Sequence, residues 1–401
     1  MQQPERARVW VGVDAGKVHH WAAAVDETGA QVWSKKIAND ESAILDAIGE
    51  AFALAETVGW AVDIAGTSSA LLLALLAAHG AEPVYVPGRT VHRMSGAYTG
   101  EAKTDARDAY VIAETSRLRR DLTVIDVPAQ LAADLALLTT HRTDLVADRV
   151  RLINRLRDVL TGVFPALERA FDYSAHKGAL VLLTGYQTPA ALRRRGPARL
   201  EAWLRKRGVR GAAQVAATAM AAASAQHTIL PGETVAAQIV ADLATQLLAL
   251  DDRLKRLDAQ ITETFRGHPQ AQIIESMPGI GPILGAEFVV AAGDLAAYAD
   301  AGRLASAAGL VPVPRDSGRR TGRLHRPTRY SRRLRRVFYM SAQSSITRPG
   351  PNRDFYLKKR GQGLKHTQAV IALARRRVDV LWALLRDGRR FTPIPPVTQA
   401  A

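Results

Sequence analysis

The first 118 residues alternate between short apolar runs and amphipathic runs, and the order of those runs restricts the fold more than any other feature of the chain. "RVWVGVDAG" reads as a buried strand that ends at Asp14 and a glycine turn. "HHWAAAVDETGAQVWSKKI" reads as two more strands around the turn "DETG". "DESAILDAIGEAFALAET" has helical spacing, with Asp40 placed to cap it. "GWAVDIAG" is a short apolar strand ending in Asp63. "TSSALLLALLAAHG" is a helix closed by Gly80, and "EPVYVP" is a further strand. "GEAKTDARDAYVIAE" supplies the next helix, with Thr104 as its cap.

Three meander strands, then helix, strand, helix, strand and helix, match the ribonuclease-H-like arrangement. In that arrangement Asp14 and Asp63 stand at the ends of the first and fourth strands and can converge at one sheet edge. A helix packed across that edge can add Asp105 and Asp108. Those two are three residues apart and therefore neighbours on one helical face, where like charges repel. Four carboxylates in one place repel strongly unless cations neutralise them. Oxygen ligands suit Mg²⁺, which also grips phosphate oxygens, and Mn²⁺ could replace it. Two such ions can stabilise the attacking and leaving oxygens of a phosphoryl transfer. A lone DxxD is ordinarily a solvated surface; acids at two strand ends beside a helical pair are harder to explain that way.

The chain has 401 residues, 47% of them hydrophobic, enough for two or three domains with real cores. There is no cysteine, so neither a disulfide framework nor a Cys-based zinc site is available. The apolar run Ala70–Ala78 is too short to span a bilayer and the N-terminus has no apolar signal core. The expectation is a soluble intracellular protein with no membrane partner. Charge is uneven: Arg315–Arg390 holds 22 Lys and Arg against 4 Asp and Glu, net +18 in a chain of net +16. A basic segment beside a near-neutral remainder points to a polyanion partner, nucleic acid before membrane.

The middle of the chain is helical. From Leu131 to Val163 a heptad seam is interrupted by Arg142 and Arg149, and a second seam runs from Leu243 to Ile261. Two such helices are expected to pair as a coiled coil, with each other or with a second subunit. Arg151, Arg155 and Arg157 give the first a basic side, for which a solvated face and a nucleic-acid contact are equally good readings. Between them lies "LRRRGPARLEAWLRKRGVRG", a basic stretch broken by Gly and Pro. The turn "PGIG" at Pro278–Gly281 fits either a phosphate-holding helix-hairpin-helix or a tight turn between packed helices. Ser317 lies in "RDSGRR", flanked by Arg315, Arg319, Arg320 and Arg323. By its local residues alone it reads as a loop serine.

Taken in order, "VGVDAGK", "AVDIAG", "YVPGRTVHRMSGAYTGEAKTDARDA", "MPGIGPILGAEFVVAAGD" and "ASAAGLVPVPRDSGRR" resemble the DEDD insertion-sequence transposases, relatives of the Piv-type DNA invertases. The resemblance covers roughly residues 8–390. It implies an α/β plus all-α chain: an N-terminal RNase-H-like (RuvC-like) catalytic domain over 1–125, a helical coiled-coil region with inserted short helices over 126–270, and a mainly helical C-terminal transposase domain over 271–390. Residues 391–401 are expected to be a disordered tail. The family's first acid falls on Asp14, its last two on Asp105 and Asp108, and its nucleophilic serine on Ser317. Its second acid is normally Glu; here the position holds Asp63, one methylene shorter. Its Ser-Lys-x-Gly stretch beyond the serine is replaced by "RPTRYSRRLRR". The resemblance further implies donor and target DNA, a structured non-coding bridge RNA as guide, a dimer or tetramer, bound Mg²⁺, and a bacterial cytoplasmic, nucleoid-associated location. Arg142, Arg149, Arg151, Arg155, Arg315, Arg319, Arg320 and Arg323 are the expected nucleic-acid contacts.

Other functions fit parts of the chain. A metal-only nuclease or Holliday junction resolvase would use the four acids and an activated water. A tyrosine recombinase would use Tyr330 and His325 but leaves the N-terminal half unexplained. An actin-like ATPase would need a Gly-rich phosphate loop that the sequence lacks. A pure RNA-binding scaffold would leave the acids idle.

Overall fold

A computed structural model describes residues 6–64, 67–98, 104–125, 130–317 and 321–392. The chain parts into two compact units, 1–128 and 129–401.

The first unit is built on one sheet. Its elements are β1 (Arg6–Ala15), β2 (His19–Val25), β3 (Gln31–Ala38), α1 (Glu41–Phe52), β4 (Ala55–Val62), α2 (Ala70–Ala78), β5 (Val84–Tyr85), α3 (Gly88–Ser95), α4 (Asp105–Leu118) and β6 (Thr123–Val124). The strand order is β3-β2-β1-β4-β5-β6. β1 pairs antiparallel with β2 and parallel with β4, and β4 pairs parallel with β5. Asp40 caps α1 and Thr104 caps α4, as their positions in the sequence predict. The sequence reading missed α3 and β6. α3 buries only Val91, and β6 is two exposed residues paired with β5, so neither has an apolar period to find.

The sheet separates two apolar layers. Val11 and Val13 of β1 and Val62 of β4 pack with Ile44 and Ile48 of α1 and Leu72 and Leu76 of α2. On the opposite face Ala61 of β4 packs with Val111 and Ile112 of α4. Strand side chains alternate between faces. Gly12 and Asp14 therefore share the α4 face of β1.

Among the described residues the second unit is helical except for one short hairpin. Its elements are α5 (Gln130–Val163), α6 (Pro165–Ala170), α7 (Lys177–Leu183), α8 (Pro189–Arg195), α9 (Pro197–Lys206), α10 (Ala212–Ser224), α11 (Glu233–Arg266), α12 (Ala271–Ser276), α13 (Pro282–Ala292), α14 (Ala301–Ala307), β7 (Val313–Pro314), β8 (Leu324–His325), α15 (Arg332–Ser345), α16 (Pro351–Gly361) and α17 (His366–Arg386). α5 and α11, 34 residues each, lie along one another. Arg142 bonds Asp258 and Arg149 bonds Asp251. One partner's number falls by seven as the other's rises by seven, so the helices run antiparallel.

This pair is the spine of two cores. Leu152–Val163 and Val240–Leu247 close one core with α6–α10. Leu135, Leu145, Leu250, Leu257, Ile261 and Phe265 close the other with α12–α17. That second core joins residues on both sides of position 270, from Leu135 and Leu250 to Leu385. By length and composition α11 is, among the described residues, the one helix able to cross a membrane. From Val240 to Phe265 its buried apolar positions belong to these two cores, while Val235 and Ile239 near its start are exposed. At the C-terminal end Phe391 packs against the second core, and its N–H donates to Ser276 Oγ at 2.8 Å. Phe391 and Thr392, the first two residues of the expected tail, are thus part of the described structure; residues 393–401 lie outside the described residues.

Candidate active site

The acids are set at a corner of the first unit by backbone geometry. β1 and β4 run parallel with Val13 opposite Val62. Asp14 and Asp63 are the next residues along, and the Asp63 N–H reaches the Val13 carbonyl at 3.4 Å. The Ala15 N–H donates to Asp63 Oδ1 at 3.2 Å, which turns that carboxylate toward the end of β1.

α4 brings the other two acids. A Cβ on Gly12 would stand 2.2 Å from Ala113 N and 2.3 Å from Ala109 O. Only a residue without a side chain lets α4 lie directly on β1 there. Asp105 and Asp108 occupy the first turn of this helix, with Ala109 and Ile112 buried beneath. Carboxylates in a helix's first turn are favoured by its dipole, which offsets part of their mutual repulsion. Arg107 fixes the approach to the helix, donating to the carbonyls of Ser95 and Tyr98 at 3.3 and 3.0 Å. Glu114, further along α4, is committed elsewhere: it pairs with Arg117 at 2.6 Å and accepts from the Tyr98 hydroxyl.

Burial raises the carboxyl of Asp63 above the ordinary carboxylate value; the Ala15 N–H opposes that shift and the charge of Asp108 adds to it. Asp63 and Asp108 thus feel each other. Asp105 is exposed and Asp108 half-buried. Among the described residues, no three His, Asp or Glu side chains stand close enough together to hold one ion. The four acids are nevertheless of one chemical kind, carboxylate oxygen, and that kind suits a hard divalent cation.

In the second unit Ser317 lies on the loop of the β7–β8 hairpin. β7 pairs antiparallel with β8, the Arg315 N–H donates to the Arg323 carbonyl at 2.8 Å, and the Arg323 N–H reaches Asp316 Oδ1 at 3.3 Å. Arg315, Ser317 and Arg323 are all exposed. Arg319 and Arg320, expected to flank the serine, lie outside the described residues. Beyond β8, Tyr330 lies under Arg335, whose guanidinium is 4.9 Å from the ring centre. A hydrogen bond from Arg326 lowers the Tyr330 hydroxyl below its ordinary value.

The arginines of α5 divide into two groups. Arg142 and Arg149, expected at a nucleic-acid interface, instead bond Asp258 and Asp251 of α11 at 2.6 and 2.5 Å. Their charges are met inside the helix pair. Arg151 pairs with Asp148 on the surface, while Arg155 is exposed and has no ion pair among the described residues. The Pro278–Gly281 turn is a packed turn: Arg377, buried on α17, donates to the Pro278 carbonyl and to Ser341 Oγ. Sequence reasoning missed Gly12 and Arg377. Gly12 stands within the quoted "VGVD", but its reason appears only when α4 lies on β1.

Comparison with known proteins places the chain among transposases. A DEDD-type transposase family model matches residues 11–165, and the model of the transposase IS116/IS110/IS902 family matches residues 271–357. The chain is 66% identical over 394 residues, 98% of both chains, to the insertion element IS116 uncharacterized 44.8 kDa protein of Streptomyces clavuligerus. It is 52% identical, again over 98% of both chains, to the insertion element IS900 uncharacterized 42 kDa protein of Mycobacterium paratuberculosis. It is also 28% identical, over 98% of both, to the mini-circle putative transposase for IS117 of Streptomyces coelicolor. With its acids at the ends of β1 and β4 and on α4, and with relatives matched from end to end, the chain belongs to the IS116/IS110/IS902 family of insertion-sequence DNA transposases.

Proposed function

We propose that this transposase cuts and rejoins DNA through a serine–phosphate intermediate, using Ser317 as nucleophile and Asp14, Asp63, Asp105 and Asp108 as ligands for Mg²⁺, with Mn²⁺ able to substitute. The observation that carries the metal reading is the placement of Asp63 at the end of β4, turned by the Ala15 N–H toward the end of β1, with a carboxyl raised chiefly by burial and further by Asp108, a cost of ionisation that a bound cation relieves. When bound, such a cation neutralises charge on the scissile phosphate.

The chain's own residues do the rest. Ser317 Oγ attacks phosphorus, an Oγ–P bond forms, and one P–O ester bond breaks. The hydroxyl proton leaves to a nearby base or water, and the departing deoxyribose oxygen takes up a proton. Attack by a hydroxyl of the second DNA then restores a phosphodiester and frees the serine. Exposed Arg315 and Arg323 are placed on the same hairpin to meet phosphate charge. Donor and target DNA are the substrates, a structured non-coding RNA pairs with them as guide, and the working species is a dimer or tetramer.

One observation favours a second reading. Tyr330 sits under Arg335, and a hydrogen bond from Arg326 lowers its hydroxyl, which favours the phenolate form that an attacking tyrosine needs. The test is denaturing electrophoresis after reaction with the element's DNA, guide RNA and Mg²⁺. Wild type should carry covalently attached DNA. Ser317→Ala should lose the adduct and recombination while keeping RNA binding. Loss of the adduct in Tyr330→Phe and not in Ser317→Ala would make the tyrosine the nucleophile. Cleavage without any adduct would make the protein a metal-only nuclease or junction resolvase.

A further inference from the structure

Within the second unit the helices α6–α10 close a different core from the one beside the Ser317 hairpin, and they hold a second concentration of positive charge. Outside Arg315–Arg390 the chain nets −2, but residues 188–211 carry eight Lys and Arg against the single acid Glu201. Glu201 is occupied by Arg205 at 2.6 Å. The remaining cations are not scattered over a solvated face. Arg199, Trp203 and Arg207 recur every fourth residue along α9 and its C-cap, so they share one face. The Arg207 guanidinium lies 3.7 Å from the Trp203 ring centre.

Trp203 is itself clamped. Tyr186 meets it edge-on at 5.0 Å, and a Cβ on Gly185 would stand 2.5 Å from the indole. With backbone close to the indole and Arg207 stacked on it, the indole serves as a platform for the guanidinium. Arg195, at the end of α8, lies over Tyr186, and its Nε is buried without a hydrogen-bond partner. A stacked guanidinium keeps its fork of donors oriented and loses less freedom when it meets a phosphate. The exposed positions on this face are Arg, Lys and Ala. Guanidinium and ammonium groups recurring along one face can meet successive phosphates whatever the base sequence, so the face suits backbone positioning.

We infer that the Arg199–Trp203–Arg207 face of α9, with Lys206, is a docking surface for the phosphate backbone of duplex DNA lying outside the bonds that are cut. DNA is favoured over RNA because it is the substrate that family membership establishes, and because of placement. α9 belongs to the core at one end of the α5–α11 spine, and the Ser317 hairpin adjoins α14 and α15 in the core at the other. A 34-residue helix is about 50 Å long. That length corresponds to about 15 base pairs of B-DNA. The inference needs only DNA binding, so it stands or falls separately from the serine chemistry.

The experiment uses the full chain and a duplex of about 40 base pairs, longer than the spine, with affinity measured at several salt concentrations. The Arg199→Ala/Lys206→Ala/Arg207→Ala triple variant should bind the duplex at least tenfold more weakly, with the log–log salt slope smaller by about 2–3. Its melting temperature and its cleavage at saturating protein should be unchanged. Arg207→Lys keeps the charge, loses the stacked fork, and should fall between wild type and the triple variant. Hydroxyl-radical footprints should lose their outermost protected turn and keep the inner one. An unchanged duplex affinity and slope would overturn the inference. So would a loss confined to a hairpin RNA of equal charge, which would give the face to RNA instead.

Discussion

Asp63 is the residue at which the site's electrostatics can be read without any chemistry. Its carboxyl is held above the ordinary value by burial and by Asp108. A raised acid favours the folded state below the unfolded-state value, and that contribution is lost as pH rises through the folded-state value. At neutral pH without divalent cation, ionised Asp63 therefore opposes folding. Asp63→Asn should unfold at a higher temperature than wild type at pH 7 in EDTA, and the gap should close as pH falls below the ordinary carboxylate value. Saturating Mg²⁺ should raise the melting temperature of wild type more than that of the variant, since a ligand stabilises only the state that binds it. A variant less stable than wild type at pH 7 in EDTA would mean that Asp63 is held by stabilising contacts and not poised for a cation. The acids themselves were legible in the sequence because each ends a patterned run. The glycine two residues before Asp14 was not: its role depends on Ala109 and Ala113, almost a hundred residues away and on a different element.

The same limit recurs among the elements, in α5 and α11. The heptad pattern located both helices, and most of its α11 positions are buried. It could not assign Arg142 and Arg149. A single strand of sequence shows two arginines breaking an apolar seam, and a nucleic-acid face is a fair reading of that. The antiparallel register that sets Asp258 and Asp251 opposite them is a tertiary fact. The Arg142 and Asp258 side chains are 21% and 37% exposed, between a surface pair and a buried one. Either charge reversal alone, Arg142→Asp or Asp258→Arg, should cost on the order of 1 kcal/mol after allowing for solvent screening. The double reversal should recover most of that loss in urea denaturation. Arg142→Ala should leave nucleic-acid affinity unaltered where Arg155→Ala, exposed on the same helix, lowers it. Equal losses of affinity for the two would return Arg142 to the interface.

Across the whole molecule, charge and fold are distributed differently. Each set of residues proposed for the chemistry lies in a unit with its own core: Asp14, Asp63, Asp105 and Asp108 in the sheet unit, Ser317 in the helical unit. The sheet unit is net negative, and the net positive charge resides wholly in the helical unit, most of it beyond residue 315. That asymmetry was visible in composition. What composition could not show is which cations stay exposed, because Arg377 looks like any other arginine in "ARRRVD" yet is buried, hydrogen-bonded to Pro278 and Ser341 and lowered to about 10 by burial. The exposed remainder makes association the salt-sensitive step. Each phosphate neutralised releases condensed counterions, so a surface meeting six to ten phosphates loses about 10³–10⁵ in affinity between roughly 50 and 200 mM salt. Wild type should show that steep fall on duplex DNA, with the loss mainly in the association rate, as expected for electrostatic steering. Single-turnover cleavage at saturating protein should change little over the same range, because the bound phosphate is met at short distance where screening is weak. Arg315→Ala/Arg323→Ala should reduce the slope by about 2 and slow the bound-state step as well, since those two stand beside Ser317. A salt-independent affinity would remove the case that the basic segment meets phosphates. A bound-state rate unaffected by the hairpin double variant would separate the hairpin arginines from the chemistry.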